Sequence, residues 1–313
     1  MSNGKTLIRG ALILTLTGFF SRIMGFFYRI FLSRAIGAEG MGIYQLIFPL
    51  YSLCFAFTVA GLQTVLSRFI AGKLALNDRK SAQDSLVTGV FLSFLLSIIA
   101  GGLLFSFARP LSLFFLKEPR CIPLLQMLAF CVPLGTVHAC LSAWYYARKK
   151  TGIPSLCQLL EQLARILSSI LVYLILTEQG LPVTPLLAVI GILAGETVSA
   201  LVSLIAVSLD FQKHAYVLFH LEHPLSYARM LLLPAAPLSA NRILLTLLQS
   251  LESVLIPGRL LLFGLSTSAA LSIYGVLTGM SLPLILFPCA ITNAVGWLKR
   301  GCSSNFCRCR FAV

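Results

Sequence analysis

The chain has 313 residues, of which 58% are hydrophobic and 11% charged, and its mean hydropathy is +0.92. Soluble globular domains carry roughly 25% charged residues, so this composition excludes a soluble globular domain. The net charge of +14 would indicate a nucleic-acid partner in a soluble chain, but here the apolar residues form blocks as long as membrane helices. The sequence predicts an all-α, polytopic membrane protein.

Eight apolar blocks are long enough to cross a bilayer, whose core of about 30 Å requires about 20 apolar residues in a helix. The blocks lack the alternation of barrel strands, and open sheets are not tolerated in lipid. The first block is too long and too rich in internal arginines for a cleaved signal peptide. The predicted spans are 7–32, 43–70, 84–108, 121–147, 153–177, 184–209, 228–250 and 269–292.

Basic residues in the loops and near the ends of the spans fall mainly on one side of the membrane. If the N-terminus is cytoplasmic, fifteen lie inside: Lys5, Arg9, Arg68, Lys73, Arg79, Lys80, Arg148, Lys149, Lys150, Lys213, Arg229, Lys299, Arg300, Arg308 and Arg310. Five lie outside: Arg34, Arg109, Lys117, Arg120 and Arg259. This positive-inside bias predicts a cytoplasmic N-terminus. Topology and attraction to anionic membrane lipids account for the basicity, so no nucleic acid is expected.

The first span, which contains "GFFSRIMGFFYRI", carries two arginines. Arg22 lies thirteen residues after Arg9, roughly 20 Å along a helix, too deep to snorkel to the inner surface. Arg29 is nearer the outer end and is able to snorkel. Two turns separate these arginines, so they share a face. Small residues lie on or beside it: Gly18, Ser21 and Gly25. We expect this face to contact a water-filled cavity or protein; the alternative is a structural arginine paired with a carboxylate or carbonyl.

The seventh span repeats features of the first. Arg242 follows Arg229 by thirteen residues, and Tyr274 in "LSIYGVLTGM" corresponds to Tyr44 in "MGIYQLIFPL". Matching features in the same order indicate a duplicated bundle, as in many transporters. The predicted organisation is a six-helix lobe (1–212), a linker (213–227), the first two helices of a second lobe (228–294) and a Cys/Arg-rich tail (295–313). The tail is either an ordinary cytoplasmic end or a frameshift or premature stop, and we expect the latter.

The fifth and sixth spans carry the other buried polar residues. A stripe spaced i, i+3, i+4, i+7, i+11 runs down the fifth span: Gln158, Glu161, Gln162, Arg165 and Ser169. Glu161 and Arg165 are placed for a local ion pair, which either joins helices or contacts a substrate. Glu196 in the sixth span is a candidate arginine partner or protonatable group. In the seventh span, prolines at 234 and 237 should bend the helix.

The sequence indicates neither a metal site nor a cofactor. Cys302, Cys307 and Cys309 do not have a usual zinc spacing, and His138 is expected to be a packing histidine. A membrane transferase would need a cluster of Asp or His at the membrane surface, so the chain is predicted not to be an enzyme. If the two lobes face each other, Arg22 and Arg242 point into the space between them. Guanidinium groups suit phosphate oxygens, so the residues favour a cationic cavity for a phosphate-bearing substrate.

Three stretches carry a resemblance to a known family: "LTLTGFFSRIMGFFYRIFLSRAIGAEGMGIYQLIFPLYSL", "ARKKTGIPSLCQLLEQLARI" and "LSIYGVLTGMSLPLILFPCAIT". They resemble the stage V sporulation protein B group of polysaccharide-transporter-type proteins. This group belongs to the multidrug/oligosaccharidyl-lipid/polysaccharide exporter superfamily, with the lipid II flippases as relatives. The resemblance implies two lobes, about fourteen helices in all, alternating access and a multi-pass location in the bacterial cell membrane.

The resemblance also implies a substrate class, undecaprenyl-pyrophosphate-linked saccharides for peptidoglycan, spore cortex or polysaccharide. In the related flippases, arginines of the first and seventh helices line the central cavity, where Arg22, Arg29 and Arg242 would lie. We also include Glu161, Arg165 and Glu196 among the predicted substrate-binding residues. Because the chain ends after eight spans, an incomplete and inactive fragment is expected. The rival functions are a cation-coupled multidrug exporter of the same superfamily and a non-transporting membrane scaffold.

Overall fold

The structure, a computed structural model, describes residues 2–213 and 224–285, which are helical and contain no β-strand. The predicted tail at 295–313 and most of the predicted linker at 213–227 lie outside these residues. Nine α-helices follow one another within the described residues: α1 (Ser2–Phe55), α2 (Gly61–Ala75), α3 (Arg79–Ser106), α4 (Ala108–Pro110), α5 (Cys121–Ala147), α6 (Gly152–Glu178), α7 (Leu186–Gln212), α8 (Pro224–Leu262) and α9 (Thr267–Val276). The same part of the chain contains three π-helical segments, Ala56–Ala60 between α1 and α2, Leu111–Phe115 after α4 and Leu277–Ser281 after α9.

Helix α1 is longer than one membrane crossing, because 54 residues would extend about 80 Å at 1.5 Å per residue. It is interrupted at Gly37, whose φ of 74° and ψ of 175° are accessible essentially to glycine alone. Its second half continues through a π-helical segment into α2. The apolar stretch Leu12–Ala75, of 64 residues, therefore contains the second predicted span and all but the first five residues of the first.

Within the described residues, seven helical stretches are long and apolar enough to cross a membrane. The first contains two spans, so each of the eight predicted spans has a helical counterpart, although the eighth is described only to residue 285. The prediction of an all-α polytopic membrane protein is confirmed. Helix α8 runs as one helix through Pro234 and Pro237, and the bend expected at these prolines stays a prediction.

Two buried clusters form the core. One joins α1, α5, α7 and α9 around Leu32, Ile47 and Leu125. The other lies at the opposite end of the bundle, where α2, α3, α5 and α8 pack around Leu66 and Trp144. Burial of these side chains fixes how α6 and α7 lie against α1 and thereby positions the polar residues considered below.

Helix α9 packs on the second half of α1 at backbone contact. A Cβ on Gly275 would lie 2.5 Å from the Gly42 nitrogen, so neither helix tolerates a larger residue there. At the same end, Glu39 accepts hydrogen bonds from Arg120 Nη2 and from the Ser268 hydroxyl, both at 2.7 Å. The approach of Gly275 to Gly42 and the hydrogen bond from Ser268 to Glu39 join the predicted first lobe to the start of the predicted second lobe.

Candidate functional site

The polar stripe of α6 lies on the side that packs against α1 and α7. Ser169 is fully buried, and the side chains of Arg165 and Glu161 are only 16% and 17% exposed. Arg165 Nη2 donates to Glu161 Oε1 at 2.5 Å, so the expected ion pair forms. Gln158, by contrast, is exposed. Exposed leucines on another face of α6 are suited to lipid: Leu163, Leu167, Leu171 and Leu174.

Glu196 is buried on α7, where it faces α1 and α5. Its Oε1 accepts a hydrogen bond from the Tyr51 hydroxyl at 3.0 Å. A Cβ on Gly135 of α5 would lie 2.8 Å from Glu196 Oε2, so the carboxylate occupies space that only a glycine leaves. Arg165 lies within electrostatic range of Glu196 but is ion-paired to Glu161.

Two glycines allow α7 to approach α6 closely. A Cβ on Gly195 would lie 2.9 Å from the Glu161 carbonyl oxygen and 3.4 Å from Arg165 Cβ. A Cβ on Gly191 would lie 2.3 Å from the Ser169 hydroxyl oxygen and 3.1 Å from the Arg165 carbonyl oxygen. This close approach of α7 to α6 brings Glu161, Arg165 and Glu196 into one largely buried group, which we call the polar cluster.

Tyrosines of α1 complete the polar cluster. The Tyr28 hydroxyl lies 2.9 Å from the Ser169 hydroxyl, and the buried Tyr44 lies within electrostatic range of both Arg29 and Arg165. Sequence reasoning missed these tyrosines as site residues. The signal that could have found Tyr44 and Tyr51 is an aromatic run at helical spacing: Tyr44, Phe48, Tyr51 and Phe55.

Most hydrogen bonds of the polar cluster are made with other protein groups. His138, within electrostatic range of Glu161, has its Nδ1 2.7 Å from the Ser203 hydroxyl, which fits the expected packing role. Among the described residues, the buried Nε of Arg165 has no hydrogen-bond partner. Two carboxylates and one guanidinium therefore share a buried site whose hydrogen bonds run mostly between protein groups.

Arg22 lies in a different environment, exposed in the middle of the first half of α1. A Cβ on either neighbouring glycine, Gly18 or Gly25, would meet no atom of another residue within 4 Å. Ser21, predicted on or beside the same face, is buried instead. The Arg22 face is thus open among the described residues, and Ser21 belongs to the packed side of the helix.

Arg29 is half-buried and differs from Arg22 in its partner. Its Nη1 donates to the Gly279 carbonyl oxygen at 3.3 Å. Gly279 belongs to the π-helical segment after α9, and such segments recur at functional sites because they interrupt the regular hydrogen-bond ladder. The two arginines of the first span therefore have different surroundings despite their shared helical register.

Arg242 is exposed on α8, as its counterpart Arg22 is on α1. Its backbone carbonyl accepts a hydrogen bond from the Thr246 hydroxyl at 3.0 Å. The structure thus brings Glu161, Arg165 and Glu196 together, whereas the described contacts do not join Arg22 or Arg242 to that cluster. Substrate binding by these six predicted residues, Arg29 included, remains a prediction.

Comparison with known proteins identifies the family. The family described as "Polysaccharide biosynthesis protein" matches residues 7–286. The chain belongs to this family. The match covers all eight predicted spans except the end of the last.

The chain is also similar to several proteins of Bacillus subtilis (strain 168). Stage V sporulation protein B is 26% identical over 295 residues, which cover 93% of this chain and 57% of that protein. Sporulation protein YkvU is 23% identical over 295 residues, 92% of this chain and 63% of that protein. Lipid II flippase MurJ is 22% identical over 169 residues, 51% of this chain and 31% of that protein. The chain spans about three fifths of the length of the first two relatives.

Proposed function

We propose that this protein belongs to a flippase or exporter system that moves undecaprenyl-pyrophosphate-linked saccharides across the bacterial cell membrane by alternating access. The N-terminus and the 147–150 loop are cytoplasmic in this proposal. The hydrogen bond from the Thr151 hydroxyl to the Gly10 carbonyl oxygen, 3.2 Å, supports it by placing the start of α1 and that loop at the same end. Similarity to stage V sporulation protein B and lipid II flippase MurJ supports the substrate class.

The observation that carries the proposal is the exposure of Arg22 and Arg242 within membrane-spanning helices. A guanidinium facing the hydrocarbon core would cost about 2.5–3.5 kcal/mol on insertion scales. An aqueous cavity removes that cost. In such a cavity the planar, permanently charged guanidinium binds phosphate oxygens in a bidentate manner. A pyrophosphate between the two arginines would satisfy both.

The polar cluster has a supporting role in this proposal. Glu161 is paired with Arg165 within α6, and Glu196 accepts a hydrogen bond from Tyr51, which joins α7 to α1, so both acids have protein partners. Arg29, bonded to the Gly279 carbonyl oxygen, ties the first span to the eighth. Its remaining N–H groups face the substrate in this arrangement.

Binding to the purified chain in detergent tests the proposal. The probe is undecaprenyl pyrophosphate, with undecaprenol as the ligand that has the same tail and no phosphate. We expect Arg22→Ala and Arg242→Ala each to weaken pyrophosphate binding about tenfold or more, because hydrogen bonds to charged groups contribute roughly 1.5–3 kcal/mol. Arg34→Ala, which removes another exposed arginine of α1, is the matched control. Equal losses in all three variants, or equal binding of undecaprenol, would contradict the proposal.

A cation-coupled multidrug exporter is the second candidate, favoured by one observation. The Glu196 carboxylate is buried and accepts a hydrogen bond from the neutral Tyr51 hydroxyl, so its negative charge is available to a lipophilic cation. The probe for this function is tetraphenylphosphonium. Binding that is lost in Glu196→Gln and unchanged in Arg22→Ala would establish the second candidate and reject the first.

A further inference from the structure

A basic cavity lies where three helices end at one side of the bundle. It has a volume of about 400 Å³ and is bordered by the end of α2, the start of α3 and the end of α5. Four of its eleven lining residues are cationic, and none is Asp or Glu: the cations are Arg79, Arg148, Lys149 and Lys150. A concave site with one sign of charge concentrates anions more strongly than the same charges on a convex surface.

The wall of the cavity is fixed by a buried ion pair. Trp144 is 2% exposed and its indole nitrogen donates to Asp210 Oδ2 at 2.8 Å. Arg148 is ion-paired to the same carboxylate and lies over the Trp144 ring, 5.3 Å from its centroid. Asp210 thus compensates Arg148. The charges of Arg79, Lys149 and Lys150 are not balanced by any acid in the cavity lining.

Lys149 has a backbone conformation in which glycine is the usual residue. Lys149 has a φ of 57°, and Lys150 N donates to the Tyr145 carbonyl oxygen at 2.9 Å, which is the hydrogen bond of a Schellman C-cap. Glycine is the usual residue at this position because a Cβ is strained there. A lysine at the cavity rim therefore accepts backbone strain that glycine would remove.

Two acids, Asp78 and Asp84, are adjacent in sequence to lining residues, and neither lines the cavity. Asp78 caps α3 by accepting from Ser81 N at 3.1 Å, and Lys73 lies 3.7 Å from its carboxylate. The hydrogen bonds from Ser81, more than the Lys73 charge, hold the pKa of Asp78 below its usual value. Asp78 does not line the cavity, so it leaves Arg79 available to a ligand.

We propose that this cavity binds a phosphate-bearing anion at the membrane surface, with the headgroup of an anionic phospholipid as its source. Its volume lies within the roughly 300–1,000 Å³ of small-molecule sites. Helices α3 and α5 have 28 and 27 residues, about 40 Å at 1.5 Å per residue, so their ends reach the headgroup layer of a bilayer. Basic pockets between membrane helices bind anionic headgroups. This site is separate from Arg22, which lies twelve residues, about 18 Å, beyond the end of α1 that contacts Thr151.

Fluorescent short-chain phosphatidylglycerol, with phosphatidylcholine carrying the same fluorophore as the neutral probe, tests the proposal on the purified chain. We expect the triple variant Arg79→Gln/Lys149→Gln/Lys150→Gln to bind phosphatidylglycerol at least about tenfold more weakly than the unaltered chain. The control triple, Arg68→Gln/Lys213→Gln/Arg229→Gln, removes equal charge outside the cavity and should weaken binding less than about threefold. Equal losses in both triples, or no selectivity for phosphatidylglycerol, would overturn the proposal.

Two further measurements complete the test. Lys149→Gly relieves the positive φ, so it should raise the melting temperature and still weaken phosphatidylglycerol binding; unchanged binding would reject a ligand role for this lysine. Inorganic phosphate identifies the source of the anion. If it binds alone, displaces the lipid probe and loses affinity only in the cavity triple, the site takes a soluble phosphate compound. If it does not compete, the headgroup of the lipid is the ligand.

Discussion

The polar cluster and the Arg22 face both carry charged side chains within the membrane bundle. In the polar cluster these side chains are largely buried and paired, whereas Arg22 is exposed. Arg165 is 16% exposed and paired to Glu161, whereas Arg22 is exposed and flanked by glycines with open space. A buried pair is expensive to break because its partner is left uncompensated. An exposed arginine in a membrane helix has no such partner to lose, so its retention requires another explanation. The two regions therefore separate charge that organises helices from charge available to a ligand.

The largest effect is expected from breaking the buried pair. Arg165→Ala leaves Glu161 buried without its cation and should destabilise the protein by about 3–5 kcal/mol, seen as a lower melting temperature and poor accumulation in membranes. Arg22→Ala should change the melting temperature little, as expected for exposed positions within about 0.5 kcal/mol.

A double variant separates the loss of a pair from the loss of packing. Glu161→Leu/Arg165→Met removes both charges and keeps side-chain volume, so most of the stability should return. If Arg165→Ala were as stable as Arg22→Ala, the distinction between the two regions would be wrong.

The sequence predicted the helices well because hydrophobic length determines them in a membrane. The span predicted at 121–147 coincides with α5, and the 153–177 span differs from α6 by one residue at each end. The pairing of Glu161 with Arg165 was also predictable, since both residues lie on one helix. The helical register of Arg22 and Arg29 was likewise evident, but it did not reveal which of them packs.

Contacts between helices were not predictable from spacing alone. The register of Arg22 and Arg29 gave no indication that only Arg29 would reach the Gly279 carbonyl oxygen, 250 residues away. The hydrogen bond from Tyr51 to Glu196 joins residues 145 positions apart. Such pairs depend on how α1 lies against its neighbours, which the pattern within one helix does not specify.

Glycine-to-alanine variants compare how tightly the polar cluster and the Arg22 face are packed. A Cβ at Gly195 would lie 2.9 Å from the Glu161 carbonyl oxygen, and overpacking of this kind costs about 1–3 kcal/mol. Gly195→Ala should therefore lower the melting temperature. Gly18→Ala, on the open face of α1, is the matched control and should be neutral or slightly stabilising, because alanine favours helices by up to about 1 kcal/mol. Equal destabilisation by both would mean that the Arg22 face is packed.

The smallest effect is expected from the tyrosine that closes the polar cluster. Tyr28→Phe keeps the ring stacked on Phe31 and removes the hydroxyl that lies 2.9 Å from Ser169. Ser169 is fully buried, so its hydroxyl loses a partner and stability should fall by about 1 kcal/mol. Tyr173→Phe, whose ring packs edge-on against Phe31, controls for the loss of a tyrosine hydroxyl beside the same ring. The additional variant Ser169→Ala measures the coupling: in the Tyr28→Phe background it should cost less than it does alone, because the hydroxyl it removes is already unpaired. Additive costs would show that the two hydroxyl groups act independently, and that the polar cluster ends at Arg165 and does not extend to α1 through Tyr28.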